Sequence, residues 1–152
     1  MANQVEHALT EEMLPLLQKE CYLTIATIDY EKNIPNVKAI SWVYAPNVQT
    51  IRFMIDNRSR IVENIKTNKG VVLTLIANGS TYSITGSAKI VIERIDNIPL
   101  KLSMIEMEIQ EVRDVMFYGA KMTITPSYEK TYDAEAAAKL DRQVMEALKK
   151  KE

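Results

Sequence analysis

Between residues 22 and 92 the apolar positions recur with the short period of β-strands, and on either side they recur with the longer period of helices. At the start, Val5, Leu9, Met13, Leu16 and Leu17 fall roughly on one helical face. This predicts an opening helix capped by Asn3, with Glu6 as the reciprocal partner and a kink or a division into two short helices at Pro15. Residues 22–28 form a β-rich run that is apolar on both sides, as in a strand buried on both faces. A turn follows over 29–35, where Asn33 can take positive φ. Residues 37–44 predict a second strand, Pro46-Asn47 a turn, and residues 50–56 a third strand in which Ile51, Phe53 and Ile55 alternate with Arg52, Met54 and Asp56. After Asn57-Arg58-Ser59-Arg60 comes a short helical pattern with Ile61, Val62 and Ile65 apolar, ended by Asn68 and Gly70. Residues 71–77 and 80–92 predict two strands joined at Asn78-Gly79, a pair suited to a type I′ turn because both positions need positive φ. Gly86, inside the longer strand, predicts a bulge or a barrel corner.

Beyond residue 92 the pattern turns helical. Asn97 can cap and Pro99 can open a helix whose buried side is Leu100, Met104, Met107 and Val112, ending near Gly119. Residues 122–125 predict a sixth strand. Asp133 caps a last helix over 133–150, where Ala137, Leu140, Val144 and Leu148 recur at helical spacing and a lysine cluster sits at the negative end of the dipole. Six strands joined mostly by short turns favour antiparallel pairing over βαβ crossovers, and closure into a small barrel buries their edges. The predicted fold class is therefore mainly β with flanking helices. The 152 residues suit a single domain spanning 1–152, and 47% apolar with 26% charged residues is the balance of a folded chain.

Charge and rare residues narrow the chemistry. Nineteen Lys+Arg against twenty Asp+Glu leave a net charge of -1, without the basic excess that nucleic-acid binding needs. One cysteine and one histidine allow neither a disulfide nor a cysteine- or histidine-built metal site. A lone thiol fits a reducing cytoplasm, and no apolar run is long enough for a membrane span. The four glycines match neither a dinucleotide fingerprint nor a P-loop. Asp56-Asn57-Arg58-Ser59-Arg60 stands between a strand end and a helix start, where backbone N–H groups, a hydroxyl and a guanidinium together suit a phosphate monoester. The plain alternative is a helix cap with two solvated arginines. Trp42 can cover a planar ring or simply pack in a core, and Lys38 can approach an electron-rich ring edge or face water. Glu106, Glu108 and Glu111 read as a solvated helix face, Met104, Met107 and Met116 as packing, His7 as a surface residue, and Cys21 as a small buried one.

The runs 22–28, Ile34-Pro35, 37–44 and 51–56, then Ser59-Arg60, Asn64-Ile65, Asn68, 71–75 and Ile84-Thr85-Gly86-Ser87-Ala88, occur in that order. Together they resemble the pyridoxamine 5′-phosphate oxidase-like family of FMN-binding split barrels, over roughly residues 5–92. The resemblance implies a six-stranded antiparallel split β-barrel that forms a homodimer, with FMN in clefts between the protomers. It implies that the phosphate is held by the end of the third strand and the turn after it, at Ile55, Asp56, Asn57, Ser59 and Arg60. It further implies that the second strand lies along the flavin through Val37, Lys38, Ala39 and Ile40, and that the partner contributes Thr81 and Tyr82. Many relatives carry Lys where this chain has Ile61, and a basic residue in the region of Ser41-Trp42. The true oxidases end in a basic, aromatic substrate-binding segment, whereas this chain ends in an Ala-rich helix. Oxidation of pyridoxamine phosphate itself is therefore not expected. The expectation is an FMN-dependent oxidoreductase on an unidentified small molecule, with a nicotinamide as one conceivable electron donor and no side chain singled out as catalytic. The alternatives are a flavin-storing or sensing module, a split barrel using haem or a deazaflavin, and a cofactor-free interaction domain.

Overall fold

The chain is described by a computed structural model covering residues 5–150. Its elements in order are β1 (Val5–Glu6), a 3-10 turn (Leu14–Leu17), β2 (Leu23–Ile28), β3 (Pro35–Ile40), β4 (Val43–Asn47), β5 (Thr50–Asp56), α1 (Arg60–Thr67), β6 (Gly70–Ala77), β7 (Ser80–Ile92), β8 (Leu102–Asp114) and α2 (Ala134–Lys150). The strands form one antiparallel sheet in the order β3-β2-β6-β7-β8-β5-β4, with β1 added alongside β8. β3 and β4 are consecutive in the chain yet occupy the two ends of that order, so the barrel is split between them.

Alternation builds the core. Leu23, Ile25, Leu73, Leu75 and Ile84 point inward with Phe53, Ile105 and Met107, all essentially without solvent contact. The outward neighbours on β2 and β6 are half-buried, which corrects the expectation that residues 22–28 are apolar on both sides because both are buried. A second, smaller cluster lies on the other side of β5 and β8, where Met54, Leu102 and Met104 meet Val144 and Leu148 of α2.

The hairpin at Asn78-Gly79 has φ of 53° and 75°, the double positive φ of a type I′ turn. The β7–β8 register shifts between Thr85 and Gly86, the expected bulge. A Cβ on Gly86 would come within 2.1 Å of the Glu108 carbonyl oxygen, so the sheet closes there only around a glycine.

Five expectations fail. The opening helix is replaced by β1 and the 3-10 turn, with Pro15 inside that turn, although Leu9, Met13 and Leu17 still bury; the Asn3 cap lies outside the described residues. The single strand over 37–44 breaks at Ser41-Trp42, and Pro46-Asn47 continues β4 instead of turning the chain. The helix expected after Pro99 is β8. Residues 102–105 are buried on both faces, one against the barrel core and one against α2, which imitates a helical spacing of apolar positions. Pairing with both β5 and β7 overrides the local helix preference of its Met and Glu residues. Residues 122–125 form no strand, so the count of six gives way to eight among the described residues.

Replacing Gly86 with Ala is expected to destabilise the fold by about 1–3 kcal/mol, because the added carbon meets backbone that cannot yield easily. Urea unfolding measures it, and an unchanged midpoint would mean that the bulge relaxes freely.

Candidate functional site

The turn between β5 and α1 is a tightly satisfied structure. Ser59 takes an extended conformation at the N-cap of α1, and its Oγ accepts from the Ile61 N–H at 3.2 Å. Asp56 gathers the turn: its carbonyl accepts from Ser59 N–H at 2.9 Å and its carboxylate from Arg58 N–H at 2.8 Å. Asn57 N–H donates to Lys101 O at 2.8 Å.

Both arginines of the turn already have anionic neighbours. Arg58 folds back on Asp56 through Nε and Nη2, each at 3.2 Å, while remaining 78% exposed. Arg60 reaches the β2–β3 turn. Its Nε donates to Asp29 Oδ1, and its Nη2 to Asp29 Oδ2 at 3.2 Å and to Glu31 Oε1 at 2.6 Å. The guanidinium also lies 4.6 Å from the centre of the Tyr30 ring, a cation–π distance. The Arg60 hydrogen bonds are the main reason the Asp29 carboxyl is held well below the usual carboxylate range, with the Lys32 N–H second. The same contacts push the Arg60 guanidinium up.

Asn64 completes the joint. Fully buried on α1, it accepts from Tyr30 N–H at 2.8 Å and donates to Thr27 Oγ1 at 2.9 Å and Asn36 Oδ1 at 2.8 Å. Helix α1 is thereby fastened to the ends of β2 and β3. Asp29, Tyr30 and Glu31 are not singled out by the sequence, and Asn64 enters there only through the Asn64-Ile65 match to the family. A signal existed for Asn64, the polar residue among Ile61, Val62 and Ile65; for Asp29 it was the turn-forming position alone.

The expected site residues divide by face. Val37 is 69% exposed and Ala39 is exposed, both on the outward side of β3. Lys38 points the other way, near enough to Asp56 to help lower its carboxyl after the dominant effect of Arg58. Ile40 and Ile55 are buried in the barrel core. Asp56, Asn57, Ser59 and Arg60 therefore gather at one end of the sheet, with β3 leading away from them. Thr81 and Tyr82 lie at the opposite end, since Thr81 pairs with Ile76 near the Asn78-Gly79 hairpin. They also face opposite ways. Thr81 is on the outward face, while Tyr82 packs against the core and lines a cavity of about 270 Å³ with Met13 and Asp114.

Two rows of the outward face carry no charge across four strands. Register places Val37, Ala26, Val72 and Thr85 in one row and Ala39, Thr24, Thr74 and Ser83 in the next. A shallow depression of about 440 Å³, lined by Ala26, Ile28, Pro35, Val72 and Gly86, opens on this face. The far edge of β3 has no strand against it among the described residues, so alternate backbone N–H and C=O groups there are open to a ligand.

The remaining candidates resolve into structure. Trp42 packs against α2 and its Nε1 donates to Asp141 Oδ1 at 2.9 Å. Glu106 is on β8, not on a helix, and pairs with Arg52 at 3.2 Å. Met104 and Met107 are core residues on opposite faces of β8, and Met116 accepts a contact from Thr81 Oγ1 at 3.7 Å. Cys21 is half-buried and His7 exposed. Beside Ser41-Trp42 the C-terminal segment brings Lys130, whose Nζ donates to Glu20 at 2.7 Å and Asp141 at 3.1 Å. Burial next to Glu20 pushes the nearby Tyr128 hydroxyl up to about 12.

An antiparallel barrel split between β3 and β4, with a cation-bearing turn at one end of a face with two uncharged rows, defines the class as a split-barrel protein. The sequence profile described as pyridoxamine 5′-phosphate oxidase matches residues 9–116, well over half of the chain. The chain belongs to the pyridoxamine 5′-phosphate oxidase family. No curated protein sequence matches it. Among solved structures, a protein from Lactobacillus delbrueckii provisionally named a pyridoxamine 5′-phosphate oxidase superposes with a TM-score of 0.61 at 19% identity, covering 74% of this chain and 98% of the other. An F420 reductase gives 0.57 at 16% identity, over 68% and 98%. HutZ, a haem storage protein from Vibrio cholerae, gives 0.51 at 15%, over 74% and 94%. At these identities the likeness is one of fold. No helix among the described residues is long and apolar enough to cross a membrane.

Because the Asp29 carboxyl is lowered in the fold, its stabilising contribution is complete above the unfolded value of about 3.9 and is lost as pH falls below that toward the folded value. Asp29→Asn is therefore expected to be less stable than the parent chain at pH 7, with the gap narrowing below about pH 4. Denaturant melts across that range test it. A gap independent of pH would remove the ionised carboxylate from this role.

Proposed function

We propose that two copies of this chain bind FMN between them and that the protein is a flavin-dependent oxidoreductase acting on a small molecule. The observation that carries this reading is the open edge of β3 leading away from the α1 turn: free backbone polar groups along one strand, with cations and a capped helix start at its end. The donor set fits a phosphate. Arg58 and Arg60 each use Nε and Nη2 on carboxylates, which leaves Nη1 of each fork for an outside oxygen. The Ser59 hydroxyl accepts from Ile61 and keeps its own proton to donate. Bound FMN would supply hydride or single-electron transfer at its ring, so no nucleophile or acid–base pair is required of the side chains. The chain's contribution is to hold the phosphate, align the ring on β3 and exclude water.

The homodimer reading is supported by the two uncharged rows of the outward face. A two-fold pairing sets identical patches against each other, and the rows from Val37 to Thr85 and from Ala39 to Ser83 carry no charge that would have to be desolvated. A reduced nicotinamide or another small donor would reach the ring from the remaining open side. Pyridoxamine phosphate is a poor match as substrate. Its own phosphate needs a second group of cations, and Lys130, brought to the β3–β4 corner by the C-terminal segment, is already held by Glu20 and Asp141. The lone half-buried thiol fits a cytoplasmic setting.

Titration with FMN, followed by visible spectrum and flavin fluorescence, tests the reading, with light scattering for the dimer. Saturable binding is expected. Arg60→Ala should lower affinity roughly tenfold or more, and further than Arg58→Ala. Glu31→Gln should raise affinity, because it removes a carboxylate competing for Arg60. A protein that binds haem or a deazaflavin but not FMN, or that shows equal affinity in all four proteins, would overturn the assignment.

A further inference from the structure

Tyr30 N–H donates to Asn64 Oδ1 at 2.8 Å, and that one bond decides the orientation of two amides. A backbone N–H can only donate, so the Asn64 atom that meets it is the carbonyl oxygen. The Asn64 amine group therefore points the other way, to Thr27 Oγ1 at 2.9 Å and Asn36 Oδ1 at 2.8 Å. Asn64 is fully buried, and turning its amide over would set N–H against N–H at Tyr30. Asn36 is thus held with its oxygen on Asn64 and its own Nδ2 turned away. That Nδ2 has no acceptor among the described residues. No buried side-chain nitrogen or oxygen among them lacks a partner, so half-buried Asn36 opens its two N–H groups to the outside.

Asn36 lies opposite Thr27 on β3, two positions before Lys38, the residue near Asp56 of the α1 turn. Asn64 stands one helical turn beyond Arg60, so the two share a face of α1. The Arg60 guanidinium in turn lies 4.6 Å from the ring of Tyr30, whose N–H Asn64 receives. The free amine of Asn36 is therefore at the end of β3 that adjoins the α1 turn. We infer that Asn36 is a further specificity-determining residue of this site, donating from Nδ2 to a phosphate oxygen of the bound ligand while Asn64 holds the donor outward. The inference rests on the FMN reading above and names what in that site separates a phosphorylated flavin from an unphosphorylated one. The guanidinium groups of Arg58 and Arg60 are shared with Asp56, Asp29 and Glu31. Asn36 Nδ2 has no carboxylate competing for it, and its orientation is set before a ligand arrives, so making the bond costs little further ordering. On the FMN reading the ring and polyol chain run along β3 toward Ala39, away from Asn36, which leaves the phosphate as its acceptor.

Fluorescence titrations with FMN, and with riboflavin, which has the same ring and polyol chain without the phosphate, test this on the full chain and on Asn36→Ala and Asn36→Asp. Asn36→Ala removes the donor and is expected to weaken FMN binding roughly tenfold or more while leaving riboflavin binding unchanged. In Asn36→Asp one carboxylate oxygen still accepts from Asn64, so the thermal midpoint of the ligand-free protein is expected to hold. Its second oxygen meets the phosphate with like charge, so the loss for FMN should exceed that of Asn36→Ala, again with none for riboflavin. Should Asn36→Ala fail to fold, Asn36→Asp decides alone. FMN affinity equal to the parent's, a loss shared by riboflavin, or a lowered midpoint in Asn36→Asp overturns the inference and leaves the FMN reading intact. A parent chain without saturable FMN binding overturns both.

Discussion

The break at Ser41-Trp42 governs this molecule. It sends two consecutive strands to opposite ends of one sheet, so the barrel has a seam instead of a closing ladder. Two backbone bonds stitch the corner, Cys21 N–H to Ser41 O at 3.0 Å and Met54 N–H to Trp42 O at 3.1 Å. One consequence is that β3 keeps a free edge. Another is that β4, β5 and the start of β8 present an apolar outer surface, which α2 covers by burying Val144 and Leu148 against Met54, Leu102 and Met104. Arg52 ties the end of that helix down, donating to Leu148 O at 2.9 Å while pairing with Glu106. The C-terminal helix thus protects the side of the seam that the candidate site does not use.

Charge at the α1 turn is closely balanced, and this sets how the site can behave. Asp29, Glu31 and Asp56 stand against Arg58, Arg60 and Lys38, so under the proposed reading a phosphate dianion would add net negative charge to a neutral cluster. Affinity in that reading would come from hydrogen-bond geometry and the helix start more than from long-range attraction, which salt screens within about 8 Å at physiological ionic strength. In exchange, Asp29 and Glu31 hold the Arg60 guanidinium plane in one orientation, so less of its side-chain entropy remains to be lost on binding.

Much of this fold was legible because period and turn chemistry agreed. β5, β6, β7, the hairpin at Asn78-Gly79, the bulge at Gly86 and the Ser59 cap each carry a local signal that the packing then reinforces. β8 was not legible. Its apolar spacing arises from α2, a helix more than twenty residues further along the chain, which buries positions that would otherwise alternate. The candidate site was half legible for the same reason. Ser59 and Arg60 are adjacent in sequence, but what fixes Arg60 is Asp29, which stands 31 positions earlier, and the long-range bonds of Asn64 span 28 to 37 positions. Local pattern shows that a turn can bind an anion; it cannot show which carboxylates already occupy its cations.

The isoleucine that follows Arg60 illustrates how sequence and packing trade roles here. Where the resemblance implies a basic residue, Ile61 is 3% exposed and belongs to the barrel core. A lysine at this position would have to carry its stem along the core and raise its ammonium to the surface, at a cost that only a bound anion offsets. An isoleucine removes that cost but puts one cation fewer beside the turn. Arg58 can make up part of the difference, being 78% exposed with one arm of its fork unused. Its charge is shared with Asp56, however, whereas the replaced ammonium would have had no carboxylate partner built into the turn. Isoleucine at this position therefore favours folding over electrostatic pull: its side chain joins the barrel core and brings no charge to the turn.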